Sequence, residues 1–338
     1  MRKKGYFFLI FLSVILFCFW LIVSLFPDLP RKEEPICFYA TQCRQDLKRV
    51  LLCAIHQAKK SLHVITFGLN DLTILHALEE KAKEGIAMKV FYDKKNSSIL
   101  HLSNHEAYPL CMKGFMHQKI VIIDEKLVFI GSANLTYTSL HMHDNLLLGF
   151  YCPQLAQFLQ KNTPFYPGYF STTIENQRLE MYILPDPRKE ALRAIQKEIQ
   201  KGQKKITVCM FTLTHPFLVN ELILAHKRGV AIQVFVDYHS GLGSSLKAVK
   251  KLQEAHVPIF LHQGSQLFHH KYAVIDDKVL ICGSTNWTLA AFKKNQDCFL
   301  ILHDLTNKQK SFLQKLEKTS RSDSQIPKQD KNIKKTEA

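Results

Sequence analysis

Acidic side chains are scarce in this sequence. Its 338 residues carry 29 Asp and Glu against 45 Lys and Arg, a formal net charge of +16. That imbalance favours anionic substrates, but nucleic acid and anionic lipid headgroups are drawn by the same field, so charge selects neither. Metal-ligand spacing is absent from the nine cysteines, and no zinc site, other metal or cofactor is expected. Most of them, such as Cys209 and Cys282, interrupt apolar runs and read as buried small hydrophobes. Cys37 and Cys43 are near enough in sequence to pair in an oxidising compartment. Charge is missing altogether from Gly5 to Phe26, 22 residues behind Arg2, Lys3 and Lys4, a length that spans a bilayer as one helix. A small-x-small cleavage pattern is missing between Leu21 and Pro30. The expectation is an uncleaved membrane anchor, with a cleaved signal peptide or a buried helix as the alternatives. The positive-inside rule then sends everything after Pro27 to the non-cytoplasmic side, in the cell envelope or secreted.

What is present is an ordinary globular composition, 46% apolar and 22% charged, and an internal repeat. A helical pattern from about Asp46 to Lys60 leads into a β-prone run, Leu62 to Phe67; a second helix from about Leu72 to Lys83 stops at Gly85 before a strand to Asp93. The order returns at about 188–200, 206–211, 217–227 and 230–237, and Gly85 to Asp93 matches Gly229 to Asp237 at an offset of 144. Strands and helices alternating at this length imply crossover units. The expected fold is α/β: two homologous α/β/α halves with mainly parallel sheets, packed face to face after the N-terminal transmembrane helix. The expected division is 1–30 as cytoplasmic stub and anchor, 35–152 and 179–318 as the halves, 153–178 as a linker, and 319–338 as a basic disordered tail.

The repeat carries chemistry. The first copy reads His117-Gln-Lys119, four residues, Asp124, six residues, Gly131-Ser132-Ala-Asn134; the second reads His269-His-Lys271, four residues, Asp276, six residues, Gly283-Ser284-Thr-Asn286. Each His and its Lys lie two apart on a strand and share a face. Ser132 with Asn134, and Ser284 with Asn286, return a hydroxyl and an amide to the same region. Fixed ammonium and amide donors on both sides suit the equatorial oxygens of a phosphoryl group without a metal. One imidazole can attack phosphorus while the other protonates the leaving alcohol. By strand parity Asp124 and Asp276 face away from their Lys and are expected to support structure. Asp297, eleven residues beyond Asn286, is the better candidate for orienting a histidine, because the first copy has His143 and Asn145 where the second has Asn295 and Asp297.

These residues resemble the signature of the phospholipase D superfamily, His-x-Lys, four residues, Asp, then Gly-Ser-x-Asn. The likeness covers about 36–316 in two intact copies. An anchored two-copy chain also resembles the phospholipase-D-like proteins of intracellular bacteria such as chlamydiae. The resemblance implies a phosphohistidine intermediate, no metal, and His117 as nucleophile with His269 as acid and base. Members of that superfamily cleave phospholipids, transfer phosphatidyl groups or cut nucleic acid, so the resemblance leaves the substrate open. The expected anchor places the site beside lipid and favours phospholipid or a membrane surface as partner and headgroup hydrolysis as the reaction. Cutting of DNA or RNA, and phosphatidyl transfer of the cardiolipin synthase type, stay open. A silent binding protein is disfavoured because neither copy has lost a motif residue. Oligomeric state is not legible.

Overall fold

The computed structural model describes residues 11–12, 27–97 and 106–327. The first half contains strands β1 (Ile36–Ala40), β2 (Ser61–Thr66), β3 (Ala87–Asp93), β4 (Glu106–Leu110), β5 (Lys119–Ile123), β6 (Leu127–Gly131), β7 (His143–Asp144) and β8 (Leu146–Tyr151). Its helices are α1 (Leu47–His56), α2 (Leu72–Lys83), α3 (Tyr137–Met142) and α4 (Pro153–Asn162). The second half contains β9 (Gly168–Ile174), β10 (Gln177–Ile183), β11 (Lys205–Met210), β12 (Ala231–Asp237), β13 (Ile259–His262), β14 (Leu267–Phe268), β15 (Lys271–Ile275), β16 (Val279–Gly283), β17 (Cys298–Leu302) and β18 (Ser324–Gln325). Its helices are α5 (Glu190–Lys201), α6 (Pro216–Lys227), α7 (Tyr238–Leu242), α8 (Leu246–Glu254), α9 (Leu289–Lys293) and α10 (Asn307–Ser322).

Each half builds one large sheet. The seven-stranded sheet has the order β1-β8-β6-β5-β2-β3-β4, and the nine-stranded sheet the order β18-β13-β12-β11-β15-β16-β17-β10-β9. Amphipathic helices cover the outer faces: Leu47, Leu51 and Leu78 pack on the first sheet, Ile195, Leu222 and Leu252 on the second. A shared interior lies between the sheets, where Ile65, Ile120 and Ile130 of one half join Cys209, Tyr272 and Val274 of the other, together with Leu159 of α4 and Leu313 of α10. The site-bearing strands β5 and β15 are fully buried in the middle of their sheets, which fixes whatever stands at their ends.

Two expectations are corrected here. The sheets are mixed. Only β2–β3 and β3–β4 are parallel in the first sheet, and β11–β12 and β12–β13 in the second; every other ladder of these two sheets is antiparallel. The reason is local. After its crossovers each half turns back through a tight hairpin, with φ of 51° and 57° at Asp124 and Glu125, and 53° and 54° at Asp276 and Asp277. Two successive left-handed residues make the turn that matches strand twist, and Asp tolerates that conformation better than most residues.

The N-terminal transmembrane helix is the second correction. Among the described residues no helix is long and apolar enough to cross a membrane. The stretch on which the anchor rested lies outside the described residues, apart from Phe11 and Leu12. The uncharged apolar run behind Arg2, Lys3 and Lys4 was the ground for a membrane-anchored chain, and with it go the likeness to anchored two-copy bacterial proteins and the placing of the body after Pro27 on the non-cytoplasmic side.

Two further segments differ from their sequence reading. Residues 153–178 hold α4 and β9, and β9 pairs with β10 at the edge of the second sheet. Helix α10 runs on to Ser322 and is followed by β18 on β13, because Ser320 continues the buried face and Arg321 lies 4.8 Å from the Phe260 ring. Residues 328–338 lie outside the described residues. Cys37 and Cys43 are free thiols.

Candidate active site

The two copies meet because each half lends its post-motif loop to the other. The backbone N–H of His117 donates to the Gln296 carbonyl at 2.7 Å, and that of His269 donates to the Asp144 carbonyl at 3.0 Å. The short strands β7 and β14 pair across the same seam. Closure of the turn before each loop needs glycine. A Cβ at Gly131 would stand 2.2 Å from the Leu146 carbonyl oxygen, and one at Gly283 2.3 Å from that of Cys298.

The side chains repeat the exchange. His117 Nδ1 bonds Asp297 Oδ1 at 2.9 Å, and His269 Nδ1 bonds Asn145 Oδ1 at 3.0 Å. Each partner is itself held. Ser284 Oγ donates to Asp297 Oδ1 at 2.6 Å, and Ser132 Oγ donates to Asn145 Oδ1 at 2.8 Å. The Asn145 amide nitrogen donates to the Ser139 carbonyl at 2.7 Å, which points its oxygen at His269 and makes Nδ1 of that ring the protonated nitrogen. The Nε2 atoms of both imidazoles are thereby left for chemistry.

Lys119 and Lys271 are almost wholly buried. Each folds back onto the backbone of its own motif, Lys119 Nζ donating to the His117 carbonyl at 2.5 Å and Lys271 Nζ to that of His269 at 2.8 Å. Each also lies over an aromatic ring, Phe67 at 5.2 Å and Phe211 at 5.1 Å. The same rings pack against His117 and His269. Asn286 Oδ1 accepts from Thr212 N at 3.2 Å, which leaves its amide nitrogen unused, and Asn134 Oδ1 is buried with no partner.

Burial depresses the ionisation of this cluster. His117 is lowered by burial and Lys119, while Asp297 pulls it back up. His269 falls well below the usual histidine range through burial and the charges of Lys271, Lys119 and His117, with no carboxylate to oppose them. Lys119 is brought down to about 7, chiefly by burial, and Lys271 is lowered well below the usual lysine range by burial and by Lys119. Asp297 is held low despite burial because His117, Lys119 and Ser284 favour its charge. A site with two lysines, two histidines and one carboxylate fits an anion.

Asp124 and Asp276 stand at the far ends of the motif strands. The Asp124 carboxylate accepts from the backbone N–H of Lys59, Lys60 and Ser61, and Asp276 from those of Gln203, Lys204 and Lys205. They tie each hairpin to the strand entering the sheet and touch none of the paired imidazoles. His270 points away from His269, into the shared interior, where Nε2 bonds Gln42 at 2.9 Å. Phe67 and Phe211 escaped the sequence reading, although both end matched strands at the offset of 144. His143, whose ring centroid lies 5.5 Å from that of His269, was legible only as a mismatch between the copies. Among the described residues no cluster of His, Cys, Asp and Glu is arranged to hold a metal.

The family described as "Cardiolipin synthase, PLD-like domain" matches residues 51–163 and 195–322. Over 105 residues the chain is 36% identical to "Mitochondrial cardiolipin hydrolase" of Xenopus laevis, covering 30% of this chain and 49% of that protein. Over 177 residues it is 24% identical to "Phospholipase D" of Rickettsia typhi, covering 44% of this chain and 86% of that protein. The chain spans about half the length of the first curated relatives it matches. Among solved structures, phosphatidylserine synthase of Haemophilus influenzae superposes with a TM-score of 0.70 at 14% identity, over 89% of this chain and 88% of that one. That is a likeness of fold.

Proposed function

The chain belongs to the family of PLD-like domains described as cardiolipin synthase, and from that membership and the geometry above we propose that it is a phospholipase D-type phosphodiesterase. It hydrolyses the headgroup ester of a phospholipid through a phosphohistidine. The observation that carries the reading is the unequal pair of cross-half partners, a carboxylate on His117 and an amide on His269, between two buried lysines.

Attack by His117 Nε2 forms a P–N bond while the P–O bond to the headgroup alcohol breaks, and the leaving oxygen takes a proton from His269. The phosphorylated ring of His117 becomes cationic, and Asp297 stands where that charge develops. His269 has only an amide beside it, so its protonated form gains no such support and gives up the proton readily. In the second step His269 removes a proton from water, the water oxygen bonds phosphorus, and the P–N bond breaks. Two inversions leave net retention. Lys119, Lys271, Asn134 and Asn286 would hold the non-bridging oxygens, and the substrate's charge would offset the burial that lowers both lysines from their usual range. The names of the mitochondrial cardiolipin hydrolases and of the rickettsial phospholipase D support an anionic phospholipid substrate and water as acceptor.

The test is turnover of the full chain with EDTA present on cardiolipin, phosphatidylglycerol and phosphatidylcholine vesicles, and on single-stranded DNA and RNA, with His117→Asn as control. Headgroup release that the control lacks supports the proposal. Nucleic-acid cutting with the lipids left intact overturns it, and headgroup exchange onto added glycerol without hydrolysis replaces it with transfer.

A further inference from the structure

At the repeat offset of 144, Asp71 and His215 occupy one position, the residue before the helix that follows a central strand. In the first half Asp71 accepts from Thr73 N at 3.0 Å and Ile74 N at 3.1 Å, and pairs with Lys48 at 3.0 Å. That corner pairs its charges. In the second half His215 makes no cap for α6, and Leu192 stands at the place of Lys48. A cavity of about 790 Å³ lies here, between α5, α6 and α9.

The walls of this cavity are of two kinds. Leu192 and Phe292 are its more buried apolar lining, Pro216, Phe217 and Leu289 are apolar side chains exposed along it, and Lys189, Arg193 and Lys293 line it as exposed cations. Asp186 is the carboxylate that lines it, and both its oxygens are taken, by Arg188 N at 2.9 Å and Ala191 N at 2.7 Å. His215 is 4% exposed and its Nδ1 has no partner. Its ring packs 5.4 Å from that of Phe292, and Lys293 is near enough to help hold its protonation down. A buried polar nitrogen left unpaired costs free energy until something bonds it. Helix α6 opens on Pro216, which has no N–H, and has no side-chain cap, so its first turn adds the positive end of a 12-residue helix. None of the histidines, lysines or asparagines of the two motifs lines this space.

We propose that this cavity is a second, non-catalytic site for an anionic single-chain amphiphile, a lipid phosphate or fatty carboxylate. The anion lies against His215, Lys293 and the first turn of α6, and the chain lies over Phe217, Leu289 and Phe292. The volume falls within the ordinary range of small-ligand sites, roughly 300–1,000 Å³, which suits one acyl chain. The proposal does not rest on the catalytic reading, because occupancy is measurable in a protein that cannot turn over.

The experiment titrates the His117→Asn full chain with myristoyl lysophosphatidate, myristate, lysophosphatidylcholine and inorganic phosphate below their micellar concentrations. It follows the imidazole resonances of His215, assigned by their loss in His215→Asp. That substitution installs the capping residue of the other half, so the fold is expected to hold or gain thermal stability. Lys293→Glu provides a second, exposed change. The expected result is a saturable shift of His215 with lysophosphatidate or myristate, weakened at least about tenfold in Lys293→Glu, and at least about tenfold weaker for lysophosphatidylcholine and for free phosphate. Equal binding of lysophosphatidylcholine, an unchanged affinity in Lys293→Glu, or no shift of His215 with either anionic chain overturns the proposal. A shift by lysophosphatidate and not by myristate assigns the site to lipid phosphate, and the converse assigns it to carboxylate.

Discussion

The two halves share a fold and six motif positions, yet the partners of their two motif histidines differ in charge. His117 faces a carboxylate and His269 an amide, although Asp297 and Asn145 stand at matched positions eleven residues beyond the motif asparagines. Beside His269 stands the imidazole of His143, while the matched Asn295 uses its oxygen to accept from Phe115 N at 3.1 Å. A duplicated scaffold thus supplies equal geometry and unequal electrostatics. Because each partner comes from the opposite half, neither half holds a motif histidine together with its partner, and the inequality exists only in the assembled pair.

The coarsest way to break the comparison is to remove one imidazole at a time. His117→Asn and His269→Asn are each expected to lower turnover of a phospholipid by about a thousandfold or more. Circular dichroism should match the wild type, since both side chains bond only a partner's side chain and pack on a phenylalanine. Full activity in either variant would show that the halves do not share one reaction.

Making the partners alike is the next step down. Asp297→Asn leaves Nδ1 of His117 an acceptor oxygen but no charge, and kcat should fall about a hundredfold or more. Asn145→Asp makes the opposite change. A carboxylate beside His269 favours its protonated form, so the alkaline limb of the kcat/KM profile should move to higher pH by about one unit, with the optimum rate within about tenfold of wild type. A shift to lower pH would mean that His269 does not serve as the acid.

The smallest effect on chemistry is expected where the halves are alike. Asp124→Asn and Asp276→Asn each weaken a carboxylate held by three backbone N–H groups and should cost about 1–2 kcal/mol of unfolding free energy at pH 7, with kcat within about threefold of wild type. Both carboxyls are held below their ordinary range, backbone donors and a nearby lysine outweighing burial. Their contribution is therefore full above the unfolded carboxyl range and disappears as the pH falls through the folded one. Unfolding of the wild type and the two variants should converge in acid.

The motif pairs were legible in the sequence because a strand carries side chains to one face at a spacing of two, and because the same six residues recur. Asp297 was legible as a mismatch between copies. That it serves His117 rather than the nearer His269 was not, since the exchange is a property of how the halves dock and no spacing records it. Local periodicity gave the first crossover of each half, but it could not foretell the hairpins that make both sheets mixed. Asp124 and Asp276 were read as motif and support, and the left-handed backbone that they share with Glu125 and Asp277 is what turns the chain. At the carboxyl end, α10 outlasts its apolar stripe because a buried serine and an arginine over two phenylalanines complete the face, a mode of burial that hydropathy does not register.

The unequal roles of the two histidines are the claim on which the rest depends, and a trapped intermediate tests it most directly. A phosphodiester with an activated leaving group such as p-nitrophenol needs no acid for the first step, whereas the second step needs a base. In His269→Asn the phosphoryl adduct should therefore accumulate, and mass spectrometry after rapid quenching and trypsin digestion should find it on peptide 114–119, at His117. An adduct in the wild type on the peptide containing His269, or its accumulation in His117→Asn instead, would contradict the account.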